Sequence, residues 1–331
     1  MTDVIRWGIL GTGKIAHALA TALAQVPDAK LVAVASRSQA GADAFGRQFG
    51  AARCHATYQA LADDAQVDVI YIATPHPMHA ENALMALRAG KHVLCEKAFT
   101  MNRREAAEVV AVARQTKRFL MEAMWTRFLP AVVEAKRLIA AGAIGTVRQM
   151  QADLGFVAKA GAEHRLRNPD LGGGALLDIG IYPLSMAAFF LGPVLSVQAQ
   201  ADIGPTGVDE QTVFTLQHQN GALSAGACSL RAHTQNELTI CGDGGYLRLH
   251  SRFHQASRLT IEPLGGESRT IELPFIGNGY PHQVMEVMRC LRAGLTESPI
   301  MPLDESVELM SILDTMRGQI GLAYRADLAP A

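Results

Sequence analysis

The sequence feature that most constrains the fold is a glycine-rich turn that directly follows the first apolar run of the chain. Residues 5–10 have the pattern of a buried strand, and the segment GILGTGKIA, residues 8–16, leads from it into a helical pattern. In such a turn Gly11 permits a sharp bend, Gly13 lets the backbone approach a pyrophosphate, and Ala16 allows close packing of helix and strand. The turn therefore predicts a dinucleotide site rather than a plain loop. Its predicted residues are Gly11, Thr12, Gly13, Lys14 and Ile15.

Hydrophobic periodicity divides the chain into two parts. The first 120 residues alternate short apolar runs with helical patterns, which is typical of a parallel sheet flanked by helices. After Trp125, alternating strand-like runs separated by turn signals dominate. The predicted class is α/β: a doubly wound parallel sheet in residues 1–124, then an α+β domain with a large, mostly antiparallel open sheet in residues 125–331. Strands of the first sheet are predicted at Ile5–Leu10, Leu31–Ala35, Val69–Ala73, His92–Cys95 and Phe119–Glu122.

Composition excludes several classes of protein. The chain has 331 residues, of which 49% are hydrophobic and 18% charged, as in globular domains rather than disordered or coiled-coil chains. Lys and Arg number 30 against 31 Asp and Glu, and the net charge of -1 creates no field that would attract nucleic acid or anionic lipid. Dispersed cysteines without a C-x-x-C pair, and no visible export signal, indicate a cytoplasmic protein. We expect neither a nucleic-acid nor a membrane partner.

The end of the second predicted strand indicates which dinucleotide the chain prefers. A chain that selects NAD usually carries an Asp or Glu there, about 20 residues after the glycine turn, to hold the ribose diol. This chain has Ser36-Arg37-Ser38 instead. A hydroxyl group and a guanidinium suit a 2′-phosphate, because arginine presents a planar, permanently charged fork to phosphate oxygens. We therefore expect Ser36 and Arg37 to favour NADP(H), with NAD(H) still possible. The alternative is a solvated arginine in a loop.

Polar residues also follow the third predicted strand, Val69–Ala73. Carboxyl ends of parallel strands form the edge at which such sheets bind ligands. We therefore predict that Thr74, Pro75, His76 and His79 lie beside the cofactor. The two histidines are three residues apart, which raises the question of a metal ion, but no matching cluster of Cys, Asp or Glu accompanies them. We expect no metal site.

The fourth predicted strand ends in Glu96-Lys97-Ala98, and a charged pair at the end of a buried strand is costly unless it is paired or functional. We predict that Glu96 and Lys97 contact the cofactor region. The Lys97 ammonium is suited to polarise a substrate oxygen or to lower the pKa of a neighbouring hydroxyl group. The alternative is a structural ion pair between the two side chains.

A second glycine run, GGGALLDIGIY at residues 172–182, leads into a helix predicted at Ala175–Phe190. Asp178 and Tyr182 are four residues apart, so on a helix they project from the same face. A carboxylate and a phenol on one face, together with Lys97, supply a proton donor, a cation that eases its ionisation and an orienting acid. Taken individually, Asp178 is explained as a helix-start residue and Tyr182 as a half-buried aromatic.

Four fingerprints occur in one order: the GTGKIA turn, Glu96-Lys97, the segment MEAMWTRF at residues 121–128, and GGGALLDIGIY. Together they resemble the glucose-fructose oxidoreductase / inositol dehydrogenase / rhizopine-catabolism (Gfo/Idh/MocA) family, in particular its dihydrodiol and NADP-linked xylose dehydrogenase branch. The resemblance implies an N-terminal Rossmann domain that binds NADP and a C-terminal domain for substrate binding and dimerisation. It also implies hydride transfer to or from the nicotinamide.

The resemblance further implies roles for individual residues. Tyr182 would exchange a proton with a substrate hydroxyl or carbonyl group, Lys97 would lower the pKa of that phenol and bind the oxygen, and Asp178 would orient the pair. The implied substrate is a sugar, polyol, cyclic diol or dicarbonyl. Arg165 is expected near the nicotinamide. The residues expected to shape the substrate pocket are Trp125, Arg127, Phe128 and Tyr280.

One departure from the family pattern concerns Lys97. The family has Glu-Lys-Pro where this chain has Glu96-Lys97-Ala98, and a proline accommodates a cis peptide bond more readily than other residues. The sequence therefore matches the family in having this lysine but does not fix the orientation of the Lys97 side chain. Two alternatives stay open: a non-catalytic NADP-binding regulator, and a redox-neutral enzyme that oxidises and re-reduces a sugar on a retained cofactor. A homodimer or tetramer through the C-terminal sheet is expected.

Overall fold

The computed structural model describes residues 4–328. The chain folds into two compact units: the first contains Met1–Trp125 and Ile276–Met310, and the second contains Thr126–Phe275 and Ser311–Ala331. The strands are β1 (Ile5–Leu10), β2 (Ala29–Ala35), β3 (Arg53–His55), β4 (Val69–Ile72), β5 (His92–Cys95), β6 (Leu120–Glu122), β7 (Val147–Gly155), β8 (Val194–Ile203), β9 (Asp209–His218), β10 (Leu223–Ser229), β11 (Leu238–Gly242), β12 (Gly245–Leu249), β13 (Arg258–Pro263) and β14 (Arg269–Glu272). The helices are α1 (Lys14–Leu23), α2 (Gln39–Phe49), α3 (Tyr58–Ala62), α4 (His79–Arg88), α5 (Arg103–Thr116), α6 (Pro130–Ala140), α7 (Ile181–Leu191), α8 (Pro281–Arg292) and α9 (Leu303–Ile320).

The first unit contains a six-stranded sheet in the order β3-β2-β1-β4-β5-β6, and every strand pair in it is parallel. Its central strands are almost entirely buried, which explains why they read as continuous apolar runs rather than alternating ones. Two short elements, β3 and α3, were not predicted; with three and five residues they carry too little periodicity to be recognised. The predicted doubly wound sheet is confirmed.

The second unit contains an eight-stranded sheet in the order β14-β13-β12-β11-β7-β10-β9-β8. All its strand pairs are antiparallel except β7 with β10. Along β9 buried and exposed residues alternate regularly, so one face of this sheet is covered within the chain and the other is open. The predicted large, mostly antiparallel open sheet is confirmed.

Residues 276–310 belong to the first unit, whereas we expected residues 125–331 to form a single domain. Thr296 accepts a backbone hydrogen bond from Leu120 at 3.0 Å, and the Ser306 hydroxyl donates to buried Glu122 at 2.8 Å. The Asn278 amide also donates to the carbonyl of Ala18 at 2.9 Å. The chain passes from one unit to the other after Trp125, after Phe275 and after Met310. The change of hydrophobic period marks only the first of these points. The later two were missed because no long linker marks them in the sequence.

One helical stretch of the described residues, Pro169–Leu191, has the length and the mean hydropathy of 1.6 that would suit a membrane span. However, 89% of its apolar window is buried inside the protein. The stretch therefore matches a core helix of a globular domain, and its apolar character reflects packing on both of its sides.

A buried carboxylate anchors the outer edge of the first sheet. Asp64 accepts hydrogen bonds from Arg53 Nε, from His55 Nε2 at 2.9 Å and from the Gln66 amide at 2.9 Å. Burial opposes its ionisation, but these hydrogen bonds outweigh burial and lower the pKa of Asp64 to about 2. Since the folded pKa lies below the unfolded value, the stabilisation is complete well above pH 4 and is lost as the pH falls towards 2.

We predict that Asp64→Asn lowers the free energy of unfolding at pH 7 by roughly 1–2 kcal/mol, because the charge-assisted hydrogen bonds are lost. The difference from the unchanged protein should shrink between pH 4 and pH 2, where the native carboxylate itself becomes protonated. Urea unfolding at several pH values measures both quantities. Asp63→Asn, at the exposed neighbouring carboxylate, is the matched control. Equal midpoints for the two variants at pH 7 would contradict the assignment.

Candidate active site

The glycine turn between β1 and α1 approaches the neighbouring strand closely. Gly11 has a φ of +100°, and a Cβ atom on it would lie 3.0 Å from the carbonyl oxygen of Ala73, just after β4. By contrast, a Cβ on Gly13 would meet no atom within 4 Å. Gly11 is therefore required by the turn itself, whereas Gly13 leaves open space at the start of α1, where helix N–H groups are suited to a phosphate.

The polar residues at the end of β2 lie beside the same turn. The Ser36 hydroxyl is 3.4 Å from that of Thr12, and Ser36 precedes the α2 N-cap residue, Ser38. Arg37 is exposed. Burial raises the pKa of the Tyr58 phenol, and the positive charge of Arg37 partly offsets this rise. Tyr58 therefore lies within electrostatic range of the Arg37 guanidinium. The first acidic residue after β2 is Asp43, so no carboxylate stands at the strand end where a ribose diol would be bound.

The loops after β4 and β5 are joined by the two histidines of the segment 74–79. His76 Nε2 lies 3.2 Å from the carbonyl oxygen of Lys97, and His79 Nδ1 lies 2.9 Å from that of Ala98. His79 Nε2 lies 2.9 Å from the carbonyl oxygen of Thr74. Burial lowers the pKa of His79, which has no exposed surface. These contacts place His79 against the main chain of the Lys97 loop, and its expected position beside the cofactor stays a prediction. The peptide bond between Lys97 and Ala98 is cis.

Glu96 is also held from within the sheet. Its carboxylate is buried and accepts a hydrogen bond of 2.5 Å from the hydroxyl of Tyr71, on β4. Burial and the charge of Glu96 raise the pKa of Tyr71, so the phenol remains a donor. Near this pair, Tyr280 stacks on Trp125 with ring centroids 4.4 Å apart. Two of the expected pocket residues thus lie together in the first unit, and Tyr71 is a participant that sequence reasoning missed.

In the second unit, Asp178 and Tyr182 lie where one helix type changes to another. We expected a continuous α-helix from Ala175; instead Leu176–Gly180 is a π-helix that runs into α7 at Ile181. Such wider turns are frequent at functional sites. A Cβ on Gly180 would lie 2.9 Å from Cys228 Sγ, so glycine allows this turn to approach β10. Both Asp178 and Tyr182 are buried.

Each of these two side chains has a neighbour from a distant loop. Arg165 donates to Asp178, with 2.9 Å between Nη1 and Oδ1, and the Arg165 side chain is 57% exposed. The Tyr182 ring lies 5.5 Å from the ring of His254. Arg165 was expected near the nicotinamide, and its observed partner is the carboxylate that we expected to orient the proton donor. His254 carried no sequence signal beyond its residue type.

Two further expected pocket residues are buried in the second unit, and their place at the pocket stays a prediction. Arg127 has no exposed surface; its guanidinium donates to Ser185 Oγ at 3.0 Å and to the Ser185 carbonyl at 2.8 Å. Phe128 is also buried. Because Ser185 follows Tyr182 by about one helical turn, these hydrogen bonds tie Arg127 to α7 close to Tyr182. Among residues 4–328, no three His, Cys, Asp or Glu side chains are grouped closely enough to hold a metal ion.

Comparison with known proteins gives matches along most of the chain. Residues 5–124 match the family described as oxidoreductases with an NAD-binding Rossmann fold, and residues 132–248 match the GFO/IDH/MocA C-terminal domain. A trans-1,2-dihydrobenzene-1,2-diol dehydrogenase from Danio rerio is 36% identical over 98% of this chain and 99% of its own length. A D-xylose 1-dehydrogenase (NADP(+)) from Hypocrea jecorina is 34% identical over 97% of this chain and 93% of its own.

The fold comparison agrees with the sequence comparison. A crystal structure of a 3-ketoreductase from Actinomadura kijaniata, in complex with NADP and TDP-benzene, is similar with a TM-score of 0.86 and 28% identity. The match covers 96% of this chain and 98% of that one. The resemblance noted in the glycine turn, the Glu-Lys segment and the second glycine run is thereby confirmed over nearly the full length. The chain belongs to the Gfo/Idh/MocA family of oxidoreductases.

Proposed function

We propose that this chain transfers a hydride between NADP(H) and a sugar, polyol, cyclic diol or dicarbonyl. The observation that carries the proposal is the polar pair on the second glycine helix: Asp178 and Tyr182 are buried, four residues apart, and Asp178 is paired with Arg165. Buried acids and phenols are costly unless they are hydrogen-bonded, and such buried titratable groups are concentrated at functional sites. The named relatives act on a cyclic diol, on D-xylose and on a keto group.

The residues of the first unit fit an NADP molecule. Gly13 leaves open space at the start of α1, while Ser36 and exposed Arg37 replace the acid that would hold a ribose diol. We propose that Gly11 to Ile15 bind the pyrophosphate and that Ser36 and Arg37 bind the 2′-phosphate. Thr74, Pro75, His76, Glu96 and Lys97 would line the nicotinamide side, with His79 behind them. NADP supplies hydride exchange when bound; the related xylose dehydrogenase and ketoreductase also use or bind it.

The proposed chemistry assigns one role to each polar residue. Tyr182 gives its proton to a carbonyl oxygen during reduction and takes it back during oxidation. Lys97 binds that oxygen and stabilises the phenolate by its positive charge. Asp178, held by Arg165, orients the pair. The related 3-ketoreductase was also solved with one tyrosine replaced by phenylalanine and with one lysine replaced by alanine.

We further propose that residues 1–124 form the NADP-binding domain and that residues 125–331 supply substrate binding and dimerisation, apart from the segment 276–310 in the first unit. Trp125 and Tyr280 would shape the pocket. A cytoplasmic location, without nucleic-acid or membrane partners, stays part of the proposal. A non-catalytic regulator is not favoured, since it need not keep Lys97, Asp178 and Tyr182.

The open face of the eight-stranded sheet supports self-association. Helices α6 and α7 pack against its other face. On the open face, Val213 of β9 and Leu223 of β10 are 58% and 56% exposed. A broad sheet face with apolar residues exposed in single chains is typical of an interface between copies. We propose a homodimer, or a tetramer built from it, through this face.

The cofactor assignment predicts that Arg37→Ala raises the KM for NADP⁺ about 10- to 100-fold, because a charge-assisted contact to the 2′-phosphate is lost. The KM for NAD⁺ should change less than about twofold, since NAD⁺ has no such phosphate. Steady-state kinetics with both cofactors measures the effect. The control is Arg47→Ala, at an exposed arginine in the last turn of α2, the helix that follows Arg37. Equal changes for both cofactors would contradict the assignment.

The catalytic assignment predicts that Tyr182→Phe and Lys97→Met each lower kcat about 100-fold or more. Tyr182→Phe should bind NADPH with nearly unchanged affinity, as measured by fluorescence titration. Lys30→Met, at an exposed lysine on β2, provides the control. If both variants kept their turnover, the proposed proton transfer would be refuted.

The interface assignment predicts that Val213→Glu or Leu223→Glu shifts the protein to monomers, because two like charges would be buried at the contact. Light scattering coupled to size-exclusion chromatography determines the mass. Val133→Glu, at a 48% exposed position on α6, should leave the mass unchanged. A monomeric unchanged protein would rule out the interface.

A further inference from the structure

The glycine loop that precedes the π-helix is contacted by two buried residues from distant parts of the second unit. Asp209, the first residue of β9, lies 33 positions after Leu176, and Tyr324 lies 151 positions after Gly173. Both are fully or nearly fully buried. We propose that Asp209 and Tyr324 are positioning residues, which hold residues 173–176 and thereby set the place of Asp178 and Tyr182. This inference rests on the proposed function of those two side chains.

Asp209 caps the start of the π-helix. Its Oδ2 accepts hydrogen bonds from the Leu176 amide at 2.8 Å and from the Thr212 hydroxyl at 2.7 Å. A carboxylate at this end of a helix meets amide groups that have no partner within the helix. Burial raises the pKa of Asp209, and the two hydrogen bonds act against that shift. The geometry of this cap fixes the first residue of the turn that carries Asp178.

Tyr324 holds the carbonyl side of the same loop. Its hydroxyl donates to the carbonyl oxygen of Gly173 at 2.5 Å. The ring lies against Arg317, whose Cζ is 5.2 Å from its centroid, and the Tyr324 amide donates to Asp327 at 2.8 Å. Arg317 is 3% exposed and pairs with Asp327 and Asp314. The segment after α9 is therefore fixed by ion pairs of the buried Arg317, and it contacts the glycine loop through the Tyr324 hydroxyl group.

Gly174 shows how tightly the loop is enclosed. It has a φ of +124°, and a Cβ on it would lie 2.4 Å from Asp209 Oδ1 and 2.9 Å from the Tyr324 hydroxyl. The carbonyl oxygen of Gly174 in turn accepts the Asp178 amide at 3.3 Å. A shift of the loop would therefore displace the main chain of Asp178 through this hydrogen bond. It would also displace Tyr182, which lies one turn further along the helix. Displacements of about 1 Å at reacting groups are enough to lower a rate strongly.

The test uses Tyr324→Phe, which deletes one hydroxyl group and keeps the ring on Arg317. We expect kcat to fall about tenfold at saturating cofactor, with KM changed less than about twofold. Amides of residues 174–182 should exchange with deuterium about tenfold faster, because the loop loses a buried hydrogen bond. Tyr246→Phe is the matched control: that phenol donates to Glu262 in the same unit, away from the loop.

A second variant pair separates positioning from general stability. Asp209→Asn keeps an oxygen that accepts the Leu176 amide and should retain most of the turnover, whereas Asp209→Ala should lose it. The inference is overturned if Tyr324→Phe has the same kcat and the same exchange rates as Tyr246→Phe. It is also overturned if a lower thermal unfolding midpoint of Tyr324→Phe accounts for its loss of kcat. If the unchanged protein turns over no substrate, the proposed function fails, and the exchange measurement alone still decides whether the two residues hold the loop.

Discussion

The close approach of Gly11 to the end of β4 is the contact on which the first unit depends. A Cβ on Gly11 would lie 3.0 Å from the carbonyl oxygen of Ala73, and the φ of +100° would strain any residue that has one. This turn lets α1 start directly at the carboxyl edge of the parallel sheet. The loops after β2, β4 and β5 begin at the same edge. Strand direction alone therefore brings together the residues proposed to bind the cofactor, although they are far apart in sequence.

A second principle is that the side chains proposed to act are held by polar partners, most of which are buried. The main chain of Lys97 and Ala98 meets His76 and His79, and Glu96 is bound by Tyr71. Asp178 is paired with Arg165, while buried Arg127 fixes the following turn of α7 through Ser185. Burying these polar groups is unfavourable in free energy, and their hydrogen bonds offset that cost. The same hydrogen bonds limit the conformations of the side chains proposed to act.

The sequence predicted both sheets and the residues of the two glycine motifs, because these depend on periodicity and on local backbone requirements. It did not predict β3 or α3, which are too short, nor the π-helix at Leu176–Gly180, which an apolar run does not distinguish from an α-helix. The partners of the site residues were also missed. Tyr71, Asp209 and Tyr324 act through contacts between distant segments, for which a single sequence contains no signal. The sequence also did not reveal that Arg127, which the resemblance implied at the pocket, donates a hydrogen bond to Ser185.

The most direct test of the account is the initial rate at 340 nm with NADP⁺ or NAD⁺ across a panel of aldoses, inositols and trans-dihydrodiols, with the reverse reaction run on dicarbonyls. The account predicts turnover with NADP⁺ well above that with NAD⁺, which would also identify the substrate class. Binding of NADPH without turnover on any member of the panel would contradict it. That result would favour a regulator, or, if NADP copurified without exchanging, an enzyme that retains its cofactor through a redox-neutral cycle.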